Sequence, residues 1–189
     1  PRICNYIDLP LQHISTPILK NMRRGVDKEQ TINFVKNARN RVPGIAFRTT
    51  FIVGFPGETE EDFQATLDIV RDTFYSMAYS FKYSKRAGTP AATMDDQISE
   101  AVMHDRLMRL QALLGEQQHA FNMDTVGRST TILLERAGKY DGQFIGKSPW
   151  LQSVHVTAPN LAIGDIVDVD IISAGPNSLG ATLRQYQEA

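Results

Sequence analysis

Residues 51–63, FIVGFPGETEEDF, constrain the fold of this chain more than any other stretch. Phe51, Ile52 and Val53 suit a buried strand, Gly54 and Gly57 allow backbone conformations closed to other residues, and Pro56 fixes one φ angle between them. Thr59 followed three residues later by Asp62 predicts a capping box. Glu60 and Glu61 fall in the first helical turn, where the helix dipole favours anions, and Phe63, Leu67, Val70 and Phe74 continue at helical spacing. The stretch therefore reads as strand, glycine turn, helix. In α/β folds such turns lie at the carboxyl ends of strands, where ligands approach bare backbone; the same pattern also serves as a plain tight connection. Both readings stand on spacing alone.

The neighbouring segments repeat the alternation. Ile3–Gln12 carries a short strand pattern ending in a polar loop at Gln12, His13 and Ser15. A helix is expected next, with Thr16 as N-cap, Pro17 at the first helical position, Ile18, Leu19 and Met22 on its buried side, and Gly25 as its stop. Asp27 can cap a second helix carried by Ile32, Val35 and Ala38 and ended by Pro43-Gly44. Ala46–Val53 is a strand, its helix runs to about Phe74, and Ala78–Tyr83 is a further strand followed by the loop SKRAGTPAA. Strands alternating with helices imply parallel βαβ units.

From about Ser99 to Asp124 the pattern becomes one long helix with Met103, Leu107, Leu110, Leu114 and Phe121 as its apolar stripe. After Gly127 it changes again. TTILLE, GQFIGKS, LQSVHVTA, DIVDVDIIS and LGATL are five short strand patterns separated by Gly, Pro, Asn and Asp, which fit a small barrel of the oligonucleotide-binding type. The boundary falls near Val126. A hydrophobic content of 42% over 189 residues suffices for packed cores in one large or two small domains.

Charge and cysteine content narrow the chemistry. A net charge of −1 argues against wholesale electrostatic binding to nucleic acid but not against a local patch. Lys20, Arg23, Arg24, Lys28, Lys36, Arg39, Arg41 and Arg48 face only Asp27 and Glu29 in their stretch, so a basic surface is expected there, either a solvated helix face or a binding patch. The single cysteine, Cys4, excludes an internal disulfide framework and a multi-cysteine metal site made by this chain alone. No apolar run approaches membrane-spanning length and no signal peptide is visible, which fits a cytoplasmic protein. The chain opens on Pro-Arg-Ile-Cys and enters a strand-like run at once, which predicts a piece of a longer protein.

Taken in order, YIDLPLQH, FIVGFPGETEEDF, YSKRAGTPAA, GQFIGKSPWLQSVHV and AGPNSLGATL resemble the methylthiotransferases, a branch of the radical S-adenosylmethionine enzymes. The resemblance covers essentially the whole chain. It implies an α/β fold in which residues 1–125 form the C-terminal part of a partial (β/α) barrel with a long closing helix. Residues 126–189 would form a five-stranded antiparallel β-barrel of the TRAM type. It also implies S-adenosylmethionine and two [4Fe–4S] clusters in the intact enzyme, where a deoxyadenosyl radical removes a hydrogen from a carbon that then receives a methylthio group. A cubane takes three cysteine thiolates from the family's motif, so the resemblance predicts that the clusters are bound by residues absent from this chain, which would be inactive alone. A reductant and a sulfur donor are implied as further partners of the intact enzyme, and no membrane.

By the same resemblance, Ile52, Gly54, Phe55, Pro56 and Gly57 form the strand-end turn near the adenine of the cofactor. Gln12 is a hydrogen-bonding candidate, or else caps its own loop; Tyr83 is a stacking or hydrogen-bonding candidate, or else a core tyrosine. Arg48 and Thr50 share a strand face with Ile52, and Arg48 needs an anion, either the cofactor carboxylate or an acid of the barrel.

The family divides by substrate, and the two halves of the chain point to different groups. IDLPLQHIS, MRRG and RTTFIVGFPGET read like the group that modifies an aspartate of a small-subunit ribosomal protein. AYSFKYSKRAGTPAA, LQALLGEQQHAFN and the barrel read like the group that modifies isopentenylated adenosine beside the tRNA anticodon. The tRNA reading is favoured because the barrel offers Arg128, Arg136, Lys139 and Lys147 with Tyr140, Trp150 and His155, a mixture suited to phosphate contact and base stacking. Asp165, Asp168 and Asp170 oppose it, so an RNA face must be one-sided with the acids turned away. From another class, the chain is a TRAM-like RNA-binding module without chemistry of its own.

Overall fold

The computed structural model of the chain describes residues 3–184. They divide into two compact units, one spanning Ile7–Gln117 and one built mainly from Gln118 onward.

In the first unit the strands β1 (Tyr6–Asp8), β2 (Ala46–Val53) and β3 (Met77–Lys82) form a sheet in the order β1-β2-β3. β2 and β3 run parallel, with Thr50 opposite Tyr79 and Ile52 opposite Phe81. The helices are α1 (Thr16–Asn21), α2 (Lys28–Arg41), α3 (Glu60–Thr73) and α4 (Glu100–Thr125), with a 3-10 turn at Pro90–Thr93. α2 and α3 both begin in capping boxes, Asp27 with Gln30 and Thr59 with Asp62, so each helix start is fixed by its own sequence.

β2 shows the period of two that positions everything else. Phe47, Thr49, Phe51 and Val53 are buried on one face, packed with Val35 of α2, Phe63, Leu67 and Val70 of α3, and Leu110 and Leu114 of α4. Arg48, Thr50 and Ile52 lie half-buried on the other face, as the alternation predicts. Tyr79 and Phe81 of β3, opposite Thr50 and Ile52, are exposed.

One helix end departs from expectation. α1 stops at Asn21, four residues before Gly25, and its N-cap is Ser15 rather than Thr16. The left-handed position after the helix is filled by Arg23, with φ 57°. Its N–H donates to the Lys20 carbonyl at 2.9 Å, and the Arg24 N–H donates to the Leu19 carbonyl at 2.8 Å, the two bonds of a Schellman motif.

The second unit is a closed barrel in the order β4-β5-β6-β8-β7, built from β4 (Ser129–Ala137), β5 (Gln143–Lys147), β6 (Ser153–Thr157), β7 (Ile166–Ala174) and β8 (Leu179–Leu183). Ile132, Leu134, Val154, Val156, Val169, Ile171, Leu179 and Ala181 fill it. The expected all-antiparallel pairing holds for four contacts but not for β6 with β8, which are parallel. The reason is topological. β4 pairs with both β5 and β7, so β6 can close the ring only against β8, and those two strands run the same way. The last turns of α4 belong to this unit and anchor its loops. The Gln152 amide donates to Asn122 Oδ1 at 2.9 Å and Thr125 Oγ1 at 3.0 Å, while Asn122 donates to the Gly175 carbonyl at 3.0 Å.

Candidate functional site

The glycine turn follows β2 as its sequence dictates, with Gly54 and Gly57 at φ 74° and 82°. Their missing side chains admit neighbours. A Cβ at Gly54 would meet Met103 Cγ of α4 at 2.2 Å, and one at Gly57 would meet Asp96 Oδ2 at 2.5 Å.

Glu58, just before the cap of α3, folds back under this turn with its side chain fully buried. One carboxylate oxygen accepts from the Gly54 N–H and from Arg106 Nη1 at 2.8 Å, and the other accepts from His13 Nε2 at 3.0 Å. The Ser15 N–H donates to His13 Nδ1 at 2.9 Å, so Nδ1 is an acceptor and the ring proton sits on Nε2, facing the carboxylate. Arg106 also donates to the Glu58 carbonyl at 3.0 Å, and Arg109 pairs with Glu60 at 2.8 Å. Both guanidiniums lie over the Phe63 ring, at 5.7 and 4.7 Å from its centroid. One carboxylate thus ties the turn to the Gln12–Ser15 loop and to α4. Sequence reading missed this knot, because its members are separated by 45 and 48 positions and nothing local marks them as partners.

A cavity of about 750 Å³ lies at the carboxyl ends of β2 and β3. Ile52, Phe55, Phe81 and Tyr83 give it apolar and aromatic walls, and Gln12, Arg23, Arg24 and Arg86 also line it. Gln12 is held in place by β2. Its N–H donates to the Thr50 carbonyl and its carbonyl accepts from the Ile52 N–H, both at 2.8 Å, with φ at 72°. Tyr83 meets Phe55 edge-on at a centroid distance of 5.2 Å, and its buried hydroxyl has no hydrogen-bond partner among the described residues. Of the residues singled out from the sequence, the cavity brings together Gln12, Ile52, Phe55 and Tyr83. Thr50, Gly54, Pro56 and Gly57 stand outside its lining, and Arg48 is engaged by Asp8 at 3.0 Å beneath the Tyr79 ring.

On the barrel, Arg136, Ile145, His155 and Gly180 stand side by side on the outer face of β4, β5, β6 and β8. Lys147 is opposite Ser153 on the same face and donates to its hydroxyl at 2.7 Å. Lys139 and Tyr140 form the β4–β5 loop, with the ammonium 5.7 Å from the ring centroid and Tyr140 exposed. Trp150 lies in the β5–β6 loop, which the topology puts at the opposite end of the barrel from Tyr140. Arg128 pairs with Asp124 of α4. Asp168 and Asp170 face Thr131 and Ser129 across β7 and β4, and Asp165 accepts from the Ala162 N–H in its own loop. Asp168 and Asp170 therefore lie in the β7–β4 pairing, apart from Lys147 and His155 on β5 and β6, while Asp165 lies in the loop before β7 with its carbonyl accepting from the Leu134 N–H of β4.

Residues 2–70 match the model of the radical SAM superfamily. A tRNA-2-methylthio-N(6)-dimethylallyladenosine synthase from Sphingopyxis alaskensis is 64% identical over 180 residues, covering 95% of this chain and 40% of that protein. Enzymes of the same name from Zymomonas mobilis and Erythrobacter litoralis are 51% and 49% identical, over 100% and 96% of this chain and 42% and 41% of theirs. The chain is thus similar to these synthases over nearly its whole length, and its first third matches the radical SAM superfamily model. It spans about two fifths of the length of these relatives. Among solved structures, the radical SAM coproporphyrinogen III oxidase HemN from Escherichia coli superposes with a TM-score of 0.51 at 15% identity, covering 93% of this chain and 44% of that one.

The radical SAM superfamily, whose model residues 2–70 match, is one of S-adenosylmethionine and iron–sulfur chemistry. The cavity fits the first. Aromatic walls suit a nucleoside, and the unpartnered Tyr83 hydroxyl is a buried polar group of the kind that a ligand satisfies. The described residues do not fit a cluster. They hold one cysteine, the exposed Cys4, and no group of three or more His, Cys, Asp or Glu is placed to hold a metal ion. No helix among them is long and apolar enough to cross a membrane.

Proposed function

We propose that this chain forms the cofactor-closing and RNA-engaging part of a methylthiotransferase that modifies N6-isopentenyladenosine next to the tRNA anticodon. The 64% identity to the Sphingopyxis alaskensis synthase, sustained over 95% of the chain, carries this reading. Residues 1–125 close the cofactor site and residues 126–189 form a TRAM-type barrel that meets the RNA. Two [4Fe–4S] clusters are held by cysteines of the intact enzyme that this chain lacks, and a reductant and a sulfur donor complete the system. S-adenosylmethionine, reduced at an iron–sulfur centre, supplies the hydrogen-abstracting chemistry.

Within that scheme the chain's own residues bind and orient. Ile52, Phe55 and Tyr83 enclose the adenosine portion of the cofactor, and Gln12 offers its amide to the polar portion. Arg48, Thr50, Gly54, Pro56 and Gly57 shape the strand and turn behind them. Arg136, Lys147 and His155 present one cationic and hydrogen-bonding face on the barrel, and Lys139 and Tyr140 extend it at the β4–β5 loop. In five-stranded barrels of this topology that face and that loop take oligonucleotides. Arg128 and Trp150 contribute at the other end. The placement of Asp168 and Asp170 on β7 supports a one-sided RNA face.

The test is a chimera in which this chain replaces its matching 180 residues in the Sphingopyxis alaskensis synthase, expressed in a host without methylthiotransferases. Mass spectrometry of tRNA nucleosides should show the methylthio group on isopentenyladenosine. Methylthiolation of the ribosomal-protein aspartate instead would make the stretches around Gln12 and Thr50 the better guide to substrate. RNA binding without either product would leave a non-catalytic module. Lys139→Ala with Lys147→Ala should lower the salt dependence of tRNA binding by about 1.5 units of slope, since each lost phosphate contact removes roughly 0.7 to 0.9. An unchanged slope would take these lysines off the RNA face.

A further inference from the structure

Six cations of the first unit are engaged within it. Arg39 donates to the Thr73 carbonyl, Arg48 pairs with Asp8, Arg71 with Asp68, Lys82 with Glu100, Arg106 with Glu58, and Arg109 with Glu60. Arg23, Arg24 and Arg86 are not among them, and what sets them apart from the other exposed cations is their position. All three line the cavity, and none has a carboxylate within ion-pair distance among the described residues. They come from two separate segments, the end of α1 and the loop after β3. Like charges gathered without a counter-charge repel one another, so this arrangement costs the free protein something and suits an anion that arrives from outside.

The backbone of Arg23 gives a second, independent sign. It occupies the left-handed position of the Schellman motif that closes α1, where glycine is the favoured residue because a Cβ crowds the backbone at positive φ. Gly25 lies two residues further on and does not take a positive φ. The chain therefore holds an arginine, not its nearby glycine, at the strained position. Gln12, at φ 72°, is another non-glycine residue in this conformation, and it lines the same cavity. Strain of this kind collects where a side chain is needed for function.

We infer that Arg23, Arg24 and Arg86 form a phosphate clamp at the solvent side of the cavity, gripping backbone phosphates of the RNA whose base is presented to the cofactor. The inference rests on the tRNA reading above. A guanidinium offers two parallel N–H donors to a phosphate and stays charged at any working pH, so three of them fix a flexible RNA loop in register beside an aromatic-walled cavity. Phosphate contacts of this type set position, and recognition of the base is left to the cavity.

The test uses the 189-residue chain with a fluorescent RNA hairpin, measuring affinity by anisotropy across a salt series. The variants are Arg23→Gly, Arg24→Ala with Arg86→Ala, and all three together. The triple variant should lose about two units of the log affinity against log salt slope, at roughly 0.7 per lost contact in single-stranded RNA. Its affinity at moderate salt should fall by about tenfold or more. Arg23→Gly is the decisive single change. Glycine relieves the strained position, so its melting temperature should rise while RNA binding falls, a combination that damage to the fold cannot produce. Arg41→Ala, an exposed cation outside the cavity lining, should change neither. If the wild-type chain binds RNA with a steep salt slope and the triple variant matches it, the clamp is refuted and the tRNA reading survives. If the wild-type chain binds no RNA, both fall. If the variants keep the RNA slope but lose S-adenosylmethionine in a calorimetric titration, the arginines serve the cofactor carboxylate and the clamp is equally refuted.

Discussion

Replacing Glu58 by Gln keeps the shape of the side chain and removes its charge, so any loss of stability is electrostatic and not a matter of cavities. The wild-type carboxylate is fully buried and accepts three side-chain or backbone donors from three segments, while the Arg106 side chain is 6% exposed. The amide nitrogen of the substituted side chain would have to face either His13 Nε2–H or the pair formed by Gly54 N–H and Arg106, setting donor against donor. Breaking a buried pair by removing one partner typically costs about 3 to 5 kcal/mol, because the other charge is left uncompensated. Arg106 keeps the Glu58 carbonyl at 3.0 Å and a half-exposed Glu60 at 3.3 Å, which places the expected cost near the lower end, about 3 kcal/mol. For a unit of this size that corresponds to a fall of roughly 10 °C in melting temperature.

Urea unfolding followed by circular dichroism at the helical band reads the first unit, and fluorescence of Trp150, the only tryptophan, reads the barrel. The first transition should move to lower urea and the second should not. A double-mutant cycle with Arg106→Met sharpens the assignment. Once the cation is gone, the buried carboxylate is itself the unpaired charge, so Glu58→Gln should then cost far less, with a coupling of about 1 to 3 kcal/mol. A Glu58→Gln variant within about 0.5 kcal/mol of wild type, or strict additivity in the cycle, would refute the claim that this carboxylate holds the turn.

Three further outcomes follow from particular groups. Gly54→Ala combines a positive φ with a Cβ placed 2.2 Å from Met103 Cγ, and the Met side chain can swing away, so the residual backbone cost should be about 1 to 2 kcal/mol by urea unfolding. Asp62 is drawn upward in pKa by burial, but hydrogen bonds from Ser15 and from the Thr59 backbone and hydroxyl outweigh this and hold it below its ordinary 3.8. A depressed folded pKa stabilises the protein above 3.8 and loses that contribution as pH falls through the folded value, so Asp62→Asn should flatten stability against pH in that acid window. Tyr75 is pushed up to about 12 by burial, which favours its neutral form; its contribution is complete below pH 10 and is lost as pH rises toward 12, and Tyr75→Phe should abolish this alkaline loss in a stability titration.

What could be read from the sequence was what neighbours along the chain decide. β2 runs Ala46–Val53 as expected because an apolar run with β-branched residues meets Gly54 and Pro56, and nothing distant is needed to start or stop it. The caps at Asp27 and Thr59 are equally local, each closed within three residues. Gly25 misled for the opposite reason. A glycine shortly after an apolar stripe is the usual helix stop, and here the left-handed residue is an arginine that lines the cavity, a choice that local cost disfavours. The barrel strands were legible one by one, yet the parallel contact of β6 and β8 was not, since pairing is decided by ring closure and not by any residue within the strands. The same division runs through the site. Ile52, Phe55 and Tyr83 could be named because they end strands or sit in the turn, whereas His13, Glu58 and Arg106 meet only once sheet and helices have packed. The residues that hold the turn in place are thus the ones a linear reading passes over, while the residues that the turn presents are visible beforehand. Removing the hidden set should therefore disturb the visible one. Glu58→Gln should weaken S-adenosylmethionine binding in the full chimera although Glu58 does not line the cavity, and unchanged affinity there would show that the turn keeps its shape without the knot beneath it.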